Sequence, residues 1–369
     1  FFLKLQTETG IQLIERKSVI IFDEIQFFPK ARQAIKYLVK DGRYDYIETG
    51  SLISIKKNVK DILIPSEEHR IKVYPMDYEE FLWATGKSAE ILRIGYKSNV
   101  AMGNSLNTKL MRDFRIYMAV GGMPQAVERY LETNNLERVD EVKREILTLY
   151  GDDLKKIDPS GRLSDIYASV PAQLALKKKR FVITKATGKR KTVKDEERLF
   201  DLIDSGIVLP CYNVTAPSLT LAQERKADDF KLYLSDTGLF VSIIFRTDAD
   251  IHRKLLSDKL PANLGYLYEN AVAQALTSAG RNLYFHTWNK TESTHSYEID
   301  FILSSSSKVI PLEVKSSSVR NHESMIAFCE KYPSIVGRRI LFSQKDVSKD
   351  GSIELKPIYM LSFFLEEIS

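Results

Sequence analysis

A strand pattern that ends in two adjacent carboxylates is the feature that most limits how this chain can fold. The stretch SVIIFDEIQ, residues 18–26, has four apolar residues followed at once by Asp23 and Glu24. A helical pattern follows near 31–42, and a second strand pattern, YDYIETGS, follows at 44–51. Strand, helix and strand joined by short connections indicate a parallel sheet with helices packed on it. The predicted fold class of this region is α/β.

The second strand pattern also ends in polar groups, Thr49 and Ser51. Neighbouring parallel strands would place them beside the γ-phosphate. In P-loop ATPases an acid at the end of a strand holds magnesium through water, and the next acid activates the attacking water. We therefore predict a site for ATP and Mg²⁺ here, with Thr49 and Ser51 sensing the γ-phosphate. Taken singly, each of these two residues also fits a turn.

Arg70, in the stretch EEHRIKVYPM at 67–76 that we expect to be a strand, can reach a phosphate of its own or of an adjacent subunit. A solvated surface arginine is the alternative. The phosphate-binding loop, G-x-x-x-x-G-K-[ST], should lie upstream of the two acids, and residues 1–17 do not match it. The stretch ATGKS at 84–88 is no substitute, because its first glycine would fall at Phe81.

The motifs VIIFDEIQ, IETGS, HRIKVYPMDYEEFL and GGMPQAV occur in this order, and together they resemble AAA-superfamily ATPases of bacteria and archaea that carry a nuclease-like C-terminal domain. The resemblance covers nearly the whole chain. It implies that Asp23 is the magnesium acid and Glu24 the catalytic base, with Thr49 and Ser51 in the sensor region and Arg70 a looser match. It also implies a phosphate-binding loop several dozen residues before DEIQ. We therefore expect that loop upstream of Phe1, and poor ATP binding without it.

Two glycines in GGMP, Gly121 and Gly122, permit close backbone approaches, and Pro124 can start the next helix. Either a corner of a helical lid near the nucleotide or a plain turn between helices fits this pattern.

A second group of charged residues lies near the C-terminus. EIDFIL supplies Asp300, and LEVKS supplies Glu313 and Lys315 on one face of a strand. A hairpin between them would bring Asp300 alongside, and Glu269 lies on an upstream helix. This arrangement resembles the PD-(D/E)XK nuclease core, which implies that Glu269, Asp300 and Glu313 bind a divalent metal and that Lys315 orients or activates water. Surface ion pairs are the alternative.

The middle of the chain combines short helices with a strand pair, which fits a winged-helix domain. Basic residues gather there, and such density can neutralise the phosphates of DNA; they are Lys177, Lys178, Lys179, Arg180, Lys185, Lys189, Arg190, Lys191 and Lys194. The helix that would enter a major groove is strongly acidic, however, which opposes such contact. Its acids are Asp195, Glu196, Glu197, Asp201 and Asp204. A solvated face is the alternative.

We predict four regions: a partial AAA-type core at 1–75, a helical lid at 76–154, a winged-helix domain at 155–250 and a nuclease-like domain at 251–369. The length of 369 residues suits two or three domains. The net charge of +5 only weakly favours an acidic partner, and DNA and self-association through the ATPase domain are the partners considered. Two separated cysteines fit a reducing cytoplasm, with no membrane span expected.

These sequence features leave three alternative functions. The first is an ATPase that uses Asp23 and Glu24. The second is a metal-dependent DNA nuclease regulated by the ATPase domain. The third is a non-catalytic interaction protein.

Overall fold

The computed structural model describes residues 1–50, 68–176, 180–188, 190, 192–245, 251–256, 265–290, 295–305, 307–316 and 322–368. The N-terminal region is α/β, as predicted. Its elements are α1 (Phe2–Thr9), β1 (Val19–Phe22), a 3₁₀ turn (Ile25–Phe27), α2 (Pro29–Asp41) and β2 (Asp45–Glu48). The two strands pair in parallel, with Phe22 beside Glu48. Their carboxyl ends therefore meet at one edge of the sheet.

The predicted strand over 67–76 is wrong for its described part, because residues 68–77 belong to no helix or strand. The side chains of Ile71 and Val73 are largely exposed, so the apolar pattern there is not used to bury a strand. The end of this segment bonds to the helical region instead. The amide of Met76 donates to the carbonyl of Gly122 at 2.8 Å, and the Tyr117 hydroxyl donates to the carbonyl of Met76 at 3.0 Å.

Helices dominate the middle of the chain. They are α3 (Tyr78–Ala84), α4 (Glu90–Ser98), α5 (Asn104–Val120), α6 (Pro124–Thr133), α7 (Leu136–Ile157), α8 (Arg162–Leu174), α9 (Ile183–Thr187), α10 (Val193–Asp204), α11 (Thr237–Ile244) and α12 (Ile251–Leu256). Reciprocal capping boxes fix two of the starts, Asp77 with Glu80 before α3 and Thr192 with Asp195 before α10. No helix in the described ranges is long and apolar enough to cross a membrane.

Two sheets and three helices make up the rest. The elements are β3 (Val208–Val214), β4 (Arg225–Leu234), α13 (Gly265–Ser278), β5 (Leu283–Asn289), β6 (Ser296–Ile299), β7 (Phe301–Ser305), β8 (Lys308–Val314), α14 (Glu323–Lys331), β9 (Ile340–Ser343), β10 (Ser348–Asp350), β11 (Ile353–Pro357) and α15 (Leu361–Glu367). The strand orders are β4-β3-β5-β6 and β10-β11-β9-β8-β7. The first sheet spans the predicted boundary at 250/251, and the four-region division stays a prediction.

The GGMP motif is a turn between α5 and α6 that is packed tightly against two other segments. The amide of Gly122 donates to Asp236 Oδ2 at 2.6 Å. A Cβ on Gly122 would lie 2.1 Å from the carbonyl oxygen of Met76, and one on Gly238 would lie 2.4 Å from that of Val120. Glycine is therefore required both at Gly122 and at Gly238. One continuous hydrophobic core runs from Tyr78 to Leu365, so the helices and the sheets beside this turn pack together.

Candidate functional site

The two parallel strands of the N-terminal region bring Asp23, Glu24 and Thr49 together. The Thr49 hydroxyl donates to Asp23 Oδ1 in a short hydrogen bond, and its oxygen accepts from the amide of Glu24 at 3.1 Å. The backbone continues the pairing, since the amide of Ile25 donates to the carbonyl of Thr49 at 3.0 Å. All three side chains are exposed at the sheet edge. Two carboxylates and a hydroxyl thus face solvent from one small patch.

Glu24 has a left-handed backbone, with φ 52° and ψ 43°. That conformation is uncommon for a residue with a side chain and costs about 1 kcal/mol or more. It turns the chain between β1 and the 3₁₀ turn. Strain of this kind is typical of functional turns.

Arg70 does not reach the Asp23 patch in this structure. Its Nε lies 2.5 Å from Glu68 Oε1, and the other oxygen of Glu68 lies 2.9 Å from Nη2 of the buried Arg32. Arg32 Nε in turn lies 3.3 Å from Glu48, the last residue of β2. This ion-pair chain joins Arg70 to the strand that carries Thr49. Ser51 lies outside the described residues.

The C-terminal residues predicted from the nuclease-like pattern also come together. Phe301 pairs with Leu312, which places Asp300 beside Glu313 across the β7–β8 hairpin. Asp300 interrupts the strand between β6 and β7, and its Oδ2 accepts from the amide of Val314 at 2.9 Å. Glu313 Oε2 lies 3.3 Å from Lys315 Nζ. Glu269, on α13, is buried and accepts from the Tyr233 hydroxyl at 3.2 Å.

This second cluster differs from a surface ion pair in its burial. Glu313 is only 1 % exposed, and neither of its carboxylate oxygens accepts a hydrogen bond within the described residues. Burial raises the pKa of Glu313 to about 7, while the nearby Lys315 opposes that rise. For Lys315, burial disfavours the charge, but Asp300 and Glu313 together raise its pKa above the ordinary value. The charges of Asp300, Glu313 and Lys315 therefore act on one another.

We tested whether these residues form a metal site as they stand. In the described part of the chain, no three histidine, cysteine, aspartate or glutamate side chains are grouped so that they could hold a metal ion. Carboxylate oxygens are suitable ligands for a hard divalent cation, and the two Glu313 oxygens without hydrogen bonds are suitable donors. The donor chemistry fits a metal, but the arrangement with Lys315 beside Glu313 does not.

Sequence reasoning missed two residues of β4 that border this cluster. Lys231 is fully buried, and its Nζ donates to Glu298 Oε1 at 2.7 Å. Tyr233, two positions later, donates to Glu269. Lys231 and Tyr233 share one face of the strand, and this i, i+2 spacing was a signal available in KLYLSD. Nothing in the sequence indicated that this strand would join the sheet of β5 and β6.

In the middle region, three helices (α8, α9 and α10) precede the β3–β4 hairpin. The winged-helix interpretation of this order stays a prediction. The exposed side of α10 carries Glu196, Glu197, Asp201 and Asp204, which opposes contact with a phosphate backbone. Lys177, Lys178, Lys179, Lys189 and Lys191 of the basic block lie outside the described residues. Arg180 lies 3.6 Å from Asp229.

Comparisons with known families match three stretches of the chain. Residues 2–82 match the family described as "AAA domain". Residues 111–250 and 264–361 match two domains of unknown function, DUF8612 and DUF4143. No curated protein matches. Among solved structures, the crystal structure of protein VC1899 from Vibrio cholerae is 10 % identical and covers 96 % of this chain and 93 % of that chain; its TM-score of 0.23 supports no inference.

The first match coincides with the strand edge described above. The matched range contains β1, β2 and the Asp23–Glu24–Thr49 patch. These findings support an AAA-superfamily ATPase, with a C-terminal region that matches a domain whose function is unknown.

Proposed function

We propose that this protein binds and hydrolyses ATP in a magnesium-dependent reaction at the Asp23–Glu24–Thr49 patch. One observation carries the proposal: Thr49, at the end of β2, is hydrogen-bonded to both of the residues that follow β1. A sheet edge with two carboxylates and a polar sensor side chain suits nucleotide hydrolysis, because the acids act on an ion and on water while the hydroxyl fixes their positions.

Each residue has a separate role in this proposal. Asp23 would hold a magnesium ion, which would supply positive charge at the phosphates. Glu24 accepts the proton of the attacking water. Thr49 orients Asp23 and the Glu24 backbone, and Ser51, two residues later in the sequence, acts in the sensor region. Arg70, once it leaves Glu68, contacts a phosphate of the nucleotide bound by its own subunit or by a neighbouring subunit. Self-association through this domain is therefore part of the proposal.

The test is ATP hydrolysis by the complete product of the gene, with Mg²⁺, beside the Glu24→Gln variant. The amide has the size of the carboxylate but accepts no proton at pH 7. We expect turnover in the wild type and a loss of at least about 100-fold in the variant, with ATP binding retained. Equal turnover in both proteins would refute the assignment of Glu24. No turnover in the wild type, with or without DNA, would refute the ATPase proposal.

A second candidate is supported by the Glu269–Asp300–Glu313–Lys315 cluster. A buried carboxylate 3.3 Å from a lysine, with a third acid delivered from a helix, suits cleavage of a phosphodiester. Asp300, Glu313 and Glu269 are not grouped to hold a metal ion as they stand, so in this candidate they would have to close on a divalent cation, with Lys315 orienting water. DNA is the proposed substrate, and the ATPase domain would regulate cutting.

This candidate is tested by incubating plasmid DNA with the protein and Mg²⁺ or Mn²⁺, beside Asp300→Ala. Cutting that is lost in the variant supports a nuclease. If neither DNA cutting nor ATP turnover occurs, a non-catalytic interaction protein is the remaining proposal. Neither the DUF8612 match nor the acidic face of α10 supports DNA contact through the middle region.

A further inference from the structure

A buried arginine, Arg32, connects three segments of the N-terminal region around the candidate ATP site. It belongs to α2, which begins directly after the 3₁₀ turn, and it is only 6 % exposed. Its Nε lies 3.3 Å from Glu48 Oε2, and its Nη2 donates to Glu68 Oε2 at 2.9 Å. One guanidinium group thus has carboxylate partners on two segments outside its own helix.

Glu48 is the partner that connects Arg32 to the site. It is the last residue of β2, and the residue after it, Thr49, is hydrogen-bonded to Asp23 and Glu24. From Glu24 the chain runs through the 3₁₀ turn into α2. The contact between Arg32 and Glu48 then leads back to the end of β2. Arg32 therefore closes a ring of contacts around the turn at Glu24.

The guanidinium group of Arg32 is shared between its two carboxylates. Burial raises the pKa of Glu48, Arg32 opposes that rise, and Glu68 adds to it. For Glu68, burial acts in the same direction, but hydrogen bonds from Arg70 and Arg32 bring its pKa below the ordinary value. Loss of the Arg32 charge would therefore leave Glu68 with Arg70, whereas the partly buried Glu48 would lose the cation that Arg32 supplies. A buried charge without compensation is unfavourable, so the end of β2 would shift.

We propose that Arg32 is a positioning residue of the ATP site. Through Glu48 it holds the end of β2, so that Thr49 stays hydrogen-bonded to the two acids of the site. The catalytic consequence of this inference rests on the proposed ATPase function. The positioning itself concerns contacts within the chain and is measurable without ATP.

The first test is hydrogen–deuterium exchange, resolved to single amides, in wild type, Arg32→Met and Glu48→Gln. Methionine removes the charge of Arg32, and glutamine removes that of Glu48 without changing its size. The amide of Glu24 donates to Thr49. Because local opening sets the exchange rate, we expect this amide to exchange at least about tenfold faster in both variants. The amide of Asp45, hydrogen-bonded at the opposite end of β2, should exchange as in wild type.

The control is Lys36→Met, one turn later in α2, where the side chain is exposed. It should leave the exchange of both amides unchanged. Unchanged exchange at Glu24 in Arg32→Met and Glu48→Gln would overturn the proposal. Equal acceleration at Asp45 would also overturn it, because Arg32 would then stabilise the strand pair as a whole and not the site.

The second test is a double-variant cycle of ATP turnover by the complete product of the gene. Since a misplacement of about 1 Å costs about 100-fold, we expect Arg32→Met to lose at least about tenfold in kcat. Lys36→Met should match wild type. Arg32→Met combined with Thr49→Val should lose no more than Thr49→Val alone, because both changes act through the same side chain. Losses that multiply would show that Arg32 acts independently of Thr49 and would overturn the proposal.

The two proposals fail separately. If exchange at Glu24 is faster in Arg32→Met but the wild type does not turn over ATP, the positioning stands and the ATPase proposal does not. If the wild type turns over ATP and Arg32→Met matches it, the ATPase proposal stands and the role of Arg32 is refuted.

Discussion

The Thr49 hydroxyl donates to the Asp23 carboxylate across two neighbouring parallel strands, while its oxygen accepts the amide of Glu24. The side chain that directly follows β2 therefore fixes both residues that follow β1. The left-handed backbone of Glu24 lies within this arrangement, so the hydrogen bond to Thr49 also helps to hold an unfavourable turn.

Replacing Thr49 with valine removes the hydroxyl but keeps the branched shape. We expect the Thr49→Val variant of the complete gene product to lose at least about tenfold in ATP turnover, because Asp23 and Glu24 lose their shared partner. Thr49→Ser keeps the hydroxyl and should retain most of the activity. Steady-state ATPase rates decide the matter, and equal rates for the valine and serine variants would show that the hydroxyl has no role.

Gly122 offers a stability test with a matched control. A Cβ at this position would meet the carbonyl oxygen of Met76 at 2.1 Å, and a backbone atom has little room to move. We expect Gly122→Ala to lower the free energy of unfolding by more than about 2 kcal/mol. Gly151, inside α7, has nothing within 4 Å of its Cβ position, so Gly151→Ala should stabilise by about 0.5–1 kcal/mol. Urea unfolding measures both, and similar effects would contradict the crowding at Gly122.

Local patterns were enough to predict several parts of the structure. Alternation and apolar runs identified β1, β2 and the strands around Asp300 and Glu313, and the hairpin spacing placed those two acids side by side. These features depend on residues close in sequence. Parallel strands joined by one helix are usually neighbours, so Thr49 was expected at the same edge of the sheet as Asp23, but its hydrogen bonds to Asp23 and Glu24 were not predicted.

Other features depend on long-range packing and were not predictable in the same way. The segment at 68–77 has the apolar content of a strand, but Met76 bonds to Gly122 instead. The approach of Gly122 to Asp236 joins residues 114 positions apart. The burial of Lys231 beside Glu298 required β4 to join a sheet with β5 and β6. A lysine in a strand pattern normally indicates an exposed position, so its burial here had no local signal.

Lys143 is a further residue whose burial has a measurable consequence. Its Nζ donates to the carbonyl of Ala119 at 2.6 Å and to that of Gly238 at 3.3 Å, and it lies 3.6 Å from Asp140. Methionine would leave both carbonyls without this donor and would remove a charge that faces buried acids. We therefore expect Lys143→Met to cost about 3–5 kcal/mol in the free energy of unfolding.

The control for this prediction is Lys155→Met, near the end of the same helix, where the side chain is exposed and pairs loosely with Asp152 at 3.9 Å. It should change stability by less than about 0.5 kcal/mol. A loss at Lys143 no greater than that at Lys155 would mean that the buried ammonium contributes nothing.

His286 gives the fold a pH dependence. The ring is buried against Trp288, its Nδ1 donates to the carbonyl of Val214 at 2.8 Å, and its Nε2 lies 3.0 Å from the Tyr332 hydroxyl. Burial lowers the pKa of His286 to about 4, while the bond to Val214 opposes the change. The folded protein therefore holds the neutral ring, whereas the unfolded chain takes up a proton near pH 6.5.

Because the folded pKa lies below the unfolded one, the contribution of His286 to stability is fully present above pH 6.5 and is lost as pH falls to about 4. The fall in the pKa of His286 from 6.5 to about 4 corresponds to about 3 kcal/mol over that window. His286→Phe keeps an aromatic ring but does not titrate, so its stability should fall less steeply between these pH values. Urea unfolding of both proteins at intervals from pH 8 to pH 4 measures the two slopes. Parallel curves would show that His286 titrates alike in the folded and unfolded chains, and the burial argument would then be wrong.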